Sequence, residues 1–133
     1  MGAKLALATC LLVLPLAACG TASREHDAAA VAERFRAALQ SKDGKAARAE
    51  LSQETASKLE QQEKKPCEQA ILGLELPKGG GVAFTEIEVT SAYVRLAAGG
   101  ADFLDEGPEG WSISAAGCEP TAPEQPYECE LEG

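Results

Sequence analysis

The chain is poor in the groups that usually do chemistry. It has one histidine, His26, among 133 residues. A general base must be held rigidly within hydrogen-bond reach of the proton it takes. His26 lies in a short polar stretch, GTASREHD, where nothing positions it. Metalloprotease, dithiol and nucleophile-elbow patterns (HExxH, CxxC, GxSxG) are absent, and so is a phosphate-cradling P-loop. Gly79-Gly80-Gly81 reads as a flexible connection, since no strand precedes it. Three cysteines without a histidine at ligand spacing make a poor zinc site. The run Asp102, Asp105, Glu106 and Glu109 lacks the spacing of a calcium loop. No cofactor or metal is expected.

Other shortages bound the fold. Aromatics make up 5% of the chain, so its core must be aliphatic and alanine-rich. The longest apolar run, Leu5 to Leu14, is shorter than the roughly 20 residues a membrane-spanning helix needs. Bases are scarce in the second half: from residue 66 onward Lys78 and Arg95 face thirteen acids. Phosphate binding needs clustered Lys and Arg, so nucleic acid is not an expected partner. An acidic surface keeps a secreted domain soluble and leaves room for a cationic partner.

What is present begins with a leader. Lys4 supplies a positive start, an apolar run follows, and small residues precede a cysteine: Leu16-Ala17-Ala18-Cys19. This order and spacing resemble the lipobox of bacterial lipoproteins. The resemblance implies cleavage before Cys19, diacylglyceryl on its thiol, and a protein held at the extracytoplasmic face of the cell membrane. Two or more acyl chains anchor stably where one is marginal. Residues 1–18 are thus expected to be a signal peptide, and 19–27 a lipidated cysteine with a flexible tether.

The remainder, residues 28–133, reads as one α+β domain. Asp27 is a fitting N-cap for a helix whose Val31, Phe35, Ala38 and Leu39 share one face. Shorter helical pieces follow over 45–51, from Ser52 to Lys64, and from Pro66, where Cys67, Ala70, Ile71 and Leu74 share a face. After the Pro77–Gly81 breaker the apolar period becomes two. Strand candidates cover 82–89, 92–96, 101–105, 111–115 and 127–131, with Tyr127, Cys129 and Leu131 inward and Glu128, Glu130 and Glu132 outward. Short turns imply antiparallel neighbours. Helices over 28–76 would then pack on one face of a curved antiparallel sheet of four to five strands.

That order resembles the cone-shaped NTF2-like fold. Gly110 to Gly133, with GWSISAAGC and PYEC before LEG, and Pro66-Cys67 ahead of Ala70-Ile71-Leu72, look like a group of small lipoproteins of high-GC Gram-positive bacteria. The resemblance implies a membrane-attached domain without an assigned role.

With Cys10 in the leader and Cys19 lipidated, Cys67, Cys118 and Cys129 remain, an odd number for an oxidising compartment. Cys118 and Cys129 bracket a short loop, and closing it would contribute roughly 3 kcal/mol. Cys67 paired with Cys129, inward by parity, or with Cys118 would tie helices to sheet instead. The leftover thiol can be an inert buried residue or, beside Lys64 and Lys65, a reactive one. Glu86, Glu88 and Asp102 are among the few carboxylates able to face a sheet cavity, although solvated strand faces suit them better.

Three readings of function follow. The first is a non-catalytic binding or accessory module of the cell envelope, with membrane lipid and an envelope or membrane protein as partners. The second is an NTF2-like enzyme or small-ligand carrier. The third is a thiol- or metal-handling lipoprotein.

Overall fold

A computed structural model describes residues 19–133. Residues 1–18, where a leader is expected, lie outside the described residues, as does the side chain of Cys19. Helices come first: α1 (Cys19–Gln40), α2 (Gly44–Ala49), α3 (Gln53–Glu63) and α4 (Cys67–Ala70), the last followed by a 3-10 turn over Ile71–Gly73. Strands β1 (Val82–Glu88), β2 (Ser91–Leu96), β3 (Ala101–Gly107), β4 (Gly110–Pro120) and β5 (Tyr127–Glu132) then form one antiparallel meander in sequence order. The α+β architecture thus has helices on one side of a five-stranded antiparallel sheet, as the pattern of periods predicts. The sheet is uncurled, without the cone curvature expected from sequence. α1 lies across β1, β2 and β4, so the apolar face is covered without the sheet wrapping around it.

The core follows from the two periodicities. Ala28, Val31, Ala32, Phe35, Ala38 and Leu39 form the buried stripe of α1. Against it stand Ala92, Val94, Leu104, Ile113, Ala116 and Leu131 from the sheet. Phe35 is the sole buried aromatic among the described residues, and alanines fill the close approaches. Leu104, Ile113 and Ile71 are fully buried, and truncating such a side chain to alanine costs about 2–5 kcal/mol.

The segment 19–27 is helical, which corrects the expected tether. Asp27 is an exposed residue within α1, not its N-cap. Ala28, Ala29 and Ala30 follow it and favour helix, and tertiary contacts hold the first turns. Arg24 pairs with Glu106 of β3, donates to the carbonyl of Val89 and lies over the Trp111 ring, 5.4 Å from its centroid.

The helix connections are short and fixed. Ser52 caps α3, its hydroxyl accepting from the N–H of Thr55 at 3.1 Å. The α2–α3 junction is stitched to β4, because the Ile113 N–H donates to the Glu50 carbonyl and the Ser52 N–H to the Ile113 carbonyl. At the start of α2, Gly44 sits against α4 so closely that a Cβ would fall 1.9 Å from the Glu68 carbonyl oxygen. Only glycine allows the two short helices that approach.

Candidate interaction surface

The register places two rows of side chains on the sheet face turned away from the helices. One row runs Phe84, Arg95, Ala101, Cys118, Cys129, and the next runs Glu86, Tyr93, Phe103, Ala115, Glu132. Val94, Asp102 and Leu104 alternate with them and face the helices. No helix of the described residues covers this outer face.

Its centre is aromatic. Tyr93 and Phe103 have ring centroids 5.5 Å apart, Phe103 and Tyr127 5.3 Å, and Tyr93 and Tyr127 6.1 Å. All three contacts are tilted or edge-on, the geometry aromatic pairs prefer. Phe84 is 47% exposed, with the Arg95 guanidinium 5.9 Å from its ring centroid. The chain has six aromatic residues, and four of them stand here rather than in the core. The Tyr127 phenol, then partial burial, hold the Tyr93 hydroxyl above the ordinary phenol value. Carboxylates rim the patch: Glu86 and Glu88 on β1, Asp105 on β3 and Glu132 on β5.

The disulfide belongs to this face. Cys118 and Cys129 are directly opposed on β4 and β5 and are bonded. The alternatives with Cys67 are therefore not realised. Cys129 lies in the outer row and Tyr127 packs on Tyr93 and Phe103 there, which corrects the inward assignment of both by parity; Leu131 alone of the three is in the core. The cause is local to β4. Gly117, at φ +64°, breaks the alternation, so Ala116 faces the core while Cys118 joins the outer row. Gly117 is required twice over, since a Cβ there would also meet Leu76 Cδ2 at 2.7 Å.

The remaining sequence candidates are dispersed. Glu86 and Glu88 are exposed outer-face residues. Asp102 is fully buried beneath α1, bonded to Arg36 and, at 3.1 Å, to the N–H of Gly117. Burial pushes its carboxyl up, partly offset by Arg36 and Gly117. Asp105 accepts from the Ser91 hydroxyl at 2.9 Å, Glu106 pairs with Arg24, and Glu109 sits in the β3–β4 turn. These four acids thus have separate jobs. His26 is exposed on α1 beside β1. Among the described residues no three His, Cys, Asp or Glu side chains could share a metal ion. Cys67 is free and fully buried, and burial pushes its thiol up. A raised thiol shielded from solvent is the opposite of a reactive one.

Sequence reasoning passed over Tyr93, Phe103 and Phe84. The signal was available: if Ala92, Val94 and Leu96 face inward, Tyr93 between them must face out. Arg36 was also missed, because a charged residue beside Phe35 reads as the edge of an apolar stripe.

No family model, curated protein or solved structure matches this chain.

Proposed function

We propose that this chain is a lipid-anchored, non-catalytic binding module on the extracytoplasmic face of the cell membrane, whose open sheet face contacts an envelope protein. The observation that carries the reading is the placement of four of six aromatics on the outer sheet face rather than in the core, Phe84 and Tyr127 exposed and Tyr93 and Phe103 half-buried. An aromatic-poor chain gains most by burying such residues, at about 25 cal/mol per Å² of apolar surface. Leaving them outside, mutually packed and rimmed by charge, is the pattern of a contact surface.

Three further features support it. The leader and Cys19 have the lipoprotein order. A structural disulfide suits an oxidising compartment. Four carboxylates around one Arg95 favour a partner that presents basic side chains, with association that weakens as salt rises. With α1 helical from Cys19, the anchor would join the domain almost directly, so membrane-bound partners are the ones within reach.

The test is a photoreactive amino acid placed at Phe84 in cells, with the same group at Lys58 on α3 as control. The reading expects one discrete protein adduct from position 84, reduced when Tyr93 and Tyr127 are changed to serine and when salt is raised. No adduct, or an equal adduct from position 58, would overturn it.

A further inference from the structure

The helical side of the molecule carries a second surface of different chemistry. Leu39 and Lys42, at the end of α1, and Ile71, Leu72, Leu74, Leu76 and Lys78, leading toward β1, line a groove of about 330 Å³. That volume lies at the small end of ligand-binding cavities. Leu72 is 36% exposed at its edge while Ile71 and Leu76 are buried.

The walls are pinned. The Gly79 N–H donates to the Arg36 carbonyl at 3.3 Å, and Arg36 Nη1 donates to the Pro77 carbonyl at 2.8 Å. The N–H groups of Ser41, Lys42 and Asp43 satisfy the carbonyls of Ala37, Leu39 and Ala38. The end of α1 therefore presents few free carbonyls to repel an anion.

Charge at the groove runs against the rest of the chain. The protein carries 21 acids and 12 bases, yet the charged residues lining this groove are both lysines. Neither lysine is in an ion pair among the described residues. An apolar slot with two unpaired ammonium groups complements an apolar tail with a negative head.

We propose that this groove binds a single acyl chain ending in a carboxylate, with the chain against Leu39, Leu72, Leu74 and Leu76 and the carboxylate held by Lys42 and Lys78. Acyl chains on Cys19 would fall short of it. Leu39 lies twenty residues further along α1, about 30 Å at 1.5 Å per residue, and a bilayer core of about 30 Å gives one leaflet's chain only about half that reach. This geometric step rests on the anchor reading; the groove itself does not. The occupant is thus a free fatty carboxylate.

The test titrates dodecanoate, below its micelle concentration, into the chain carrying Cys19→Ser, which removes any acyl group of its own. Acetate and dodecyltrimethylammonium serve as head-only and opposite-charge controls. Dodecanoate is expected to bind, and the cationic amphiphile to bind at least tenfold more weakly, despite a net charge of −9 that favours it. The double variant Lys42→Glu/Lys78→Glu, with both sites exposed, should lose at least tenfold for dodecanoate. Leu72→Asp should lose a similar factor, with circular dichroism reporting an intact fold. Absence of dodecanoate binding, equal binding of the two amphiphiles, or an unchanged affinity in the double variant would overturn the proposal. Each of those results leaves the crosslinking test at Phe84 unaffected, so the two readings fail separately.

Discussion

Arg36 of α1 and Asp102 of β3 form an ion pair in which both side chains are completely shielded from solvent. It is the buried ionic link between the longest helix and the centre of the sheet, where Arg24–Glu106 is a part-exposed one. Arg36 also holds the Pro77 carbonyl, and Asp102 the Gly117 N–H, so the pair ties the helix–sheet connection and the β4 bulge to one point. It is incompletely satisfied, however: Arg36 Nε and Asp102 Oδ2 are buried without a hydrogen-bond partner.

Removing one partner strands the other charge. Asp102→Ala should destabilise the fold by about 3–5 kcal/mol, as should Arg36→Met, because each leaves a buried ion uncompensated. The double variant Arg36→Met/Asp102→Leu should cost clearly less than the sum of the single changes, since no ion then remains buried. Urea unfolding midpoints of the four proteins give the coupling, and strict additivity would contradict this account.

The same pair has a definite pH signature. The folded Asp102 carboxyl is raised, chiefly by burial. Between its unfolded value, about 3.9, and its raised folded value, the folded protein binds more protons than the unfolded chain. Its contribution to stability is therefore full below the unfolded value and is lost as pH rises through the folded one. Relative to Asp102→Asn, wild type should gain stability as pH falls through that window. Denaturant titrations of both proteins check the sign, and a relative loss on acidification would show that the pair with Arg36 outweighs burial.

The disulfide closes a short loop between neighbouring strands, with a sequence separation of 11. The double change Cys118→Ser/Cys129→Ser should cost about 3 kcal/mol by the loop-entropy relation. The sheet should remain, since β4 and β5 keep their backbone ladder and Leu131 stays in the core. Thermal unfolding of oxidised and variant proteins measures the loss. Complete unfolding of the variant would mean the bond does more than restrict the unfolded chain.

Cys67 should resist modification. Its thiol is buried at the start of α4 and pushed up by desolvation. Peptide mapping after iodoacetamide should find Cys67 unmodified in native protein and modified in denaturant. Rapid native labelling would revive a reactive role for it.

The division into helices and strands was legible in the sequence because both halves are strongly periodic and the Pro77–Gly81 breaker separates them. Ser52, Pro66 and the five strands fall where their chemistry places them. Residues 19–27 escaped because isolated polar composition suggests a tether, while contacts of Arg24 with Glu106, Val89 and Trp111 lie far along the chain. The outer placement of Cys129 escaped because parity assumes regular strands, and the β3–β4 pairing shifts twice, once opposite the left-handed Gly117 and once between Phe103 and Leu104. The aromatic face was half legible: Tyr93 follows from its neighbours, but the approach of Tyr127 depends on the β4–β5 turn.

Cys19→Ser, followed by membrane fractionation and the mass of the mature N terminus, tests the central claim most directly. The account predicts that wild type begins at residue 19 with an acyl-sized mass on the cysteine and sediments with membranes, while the variant is unmodified and leaves the membrane fraction. A variant that stays in the membrane and is processed like wild type would contradict the lipid anchor.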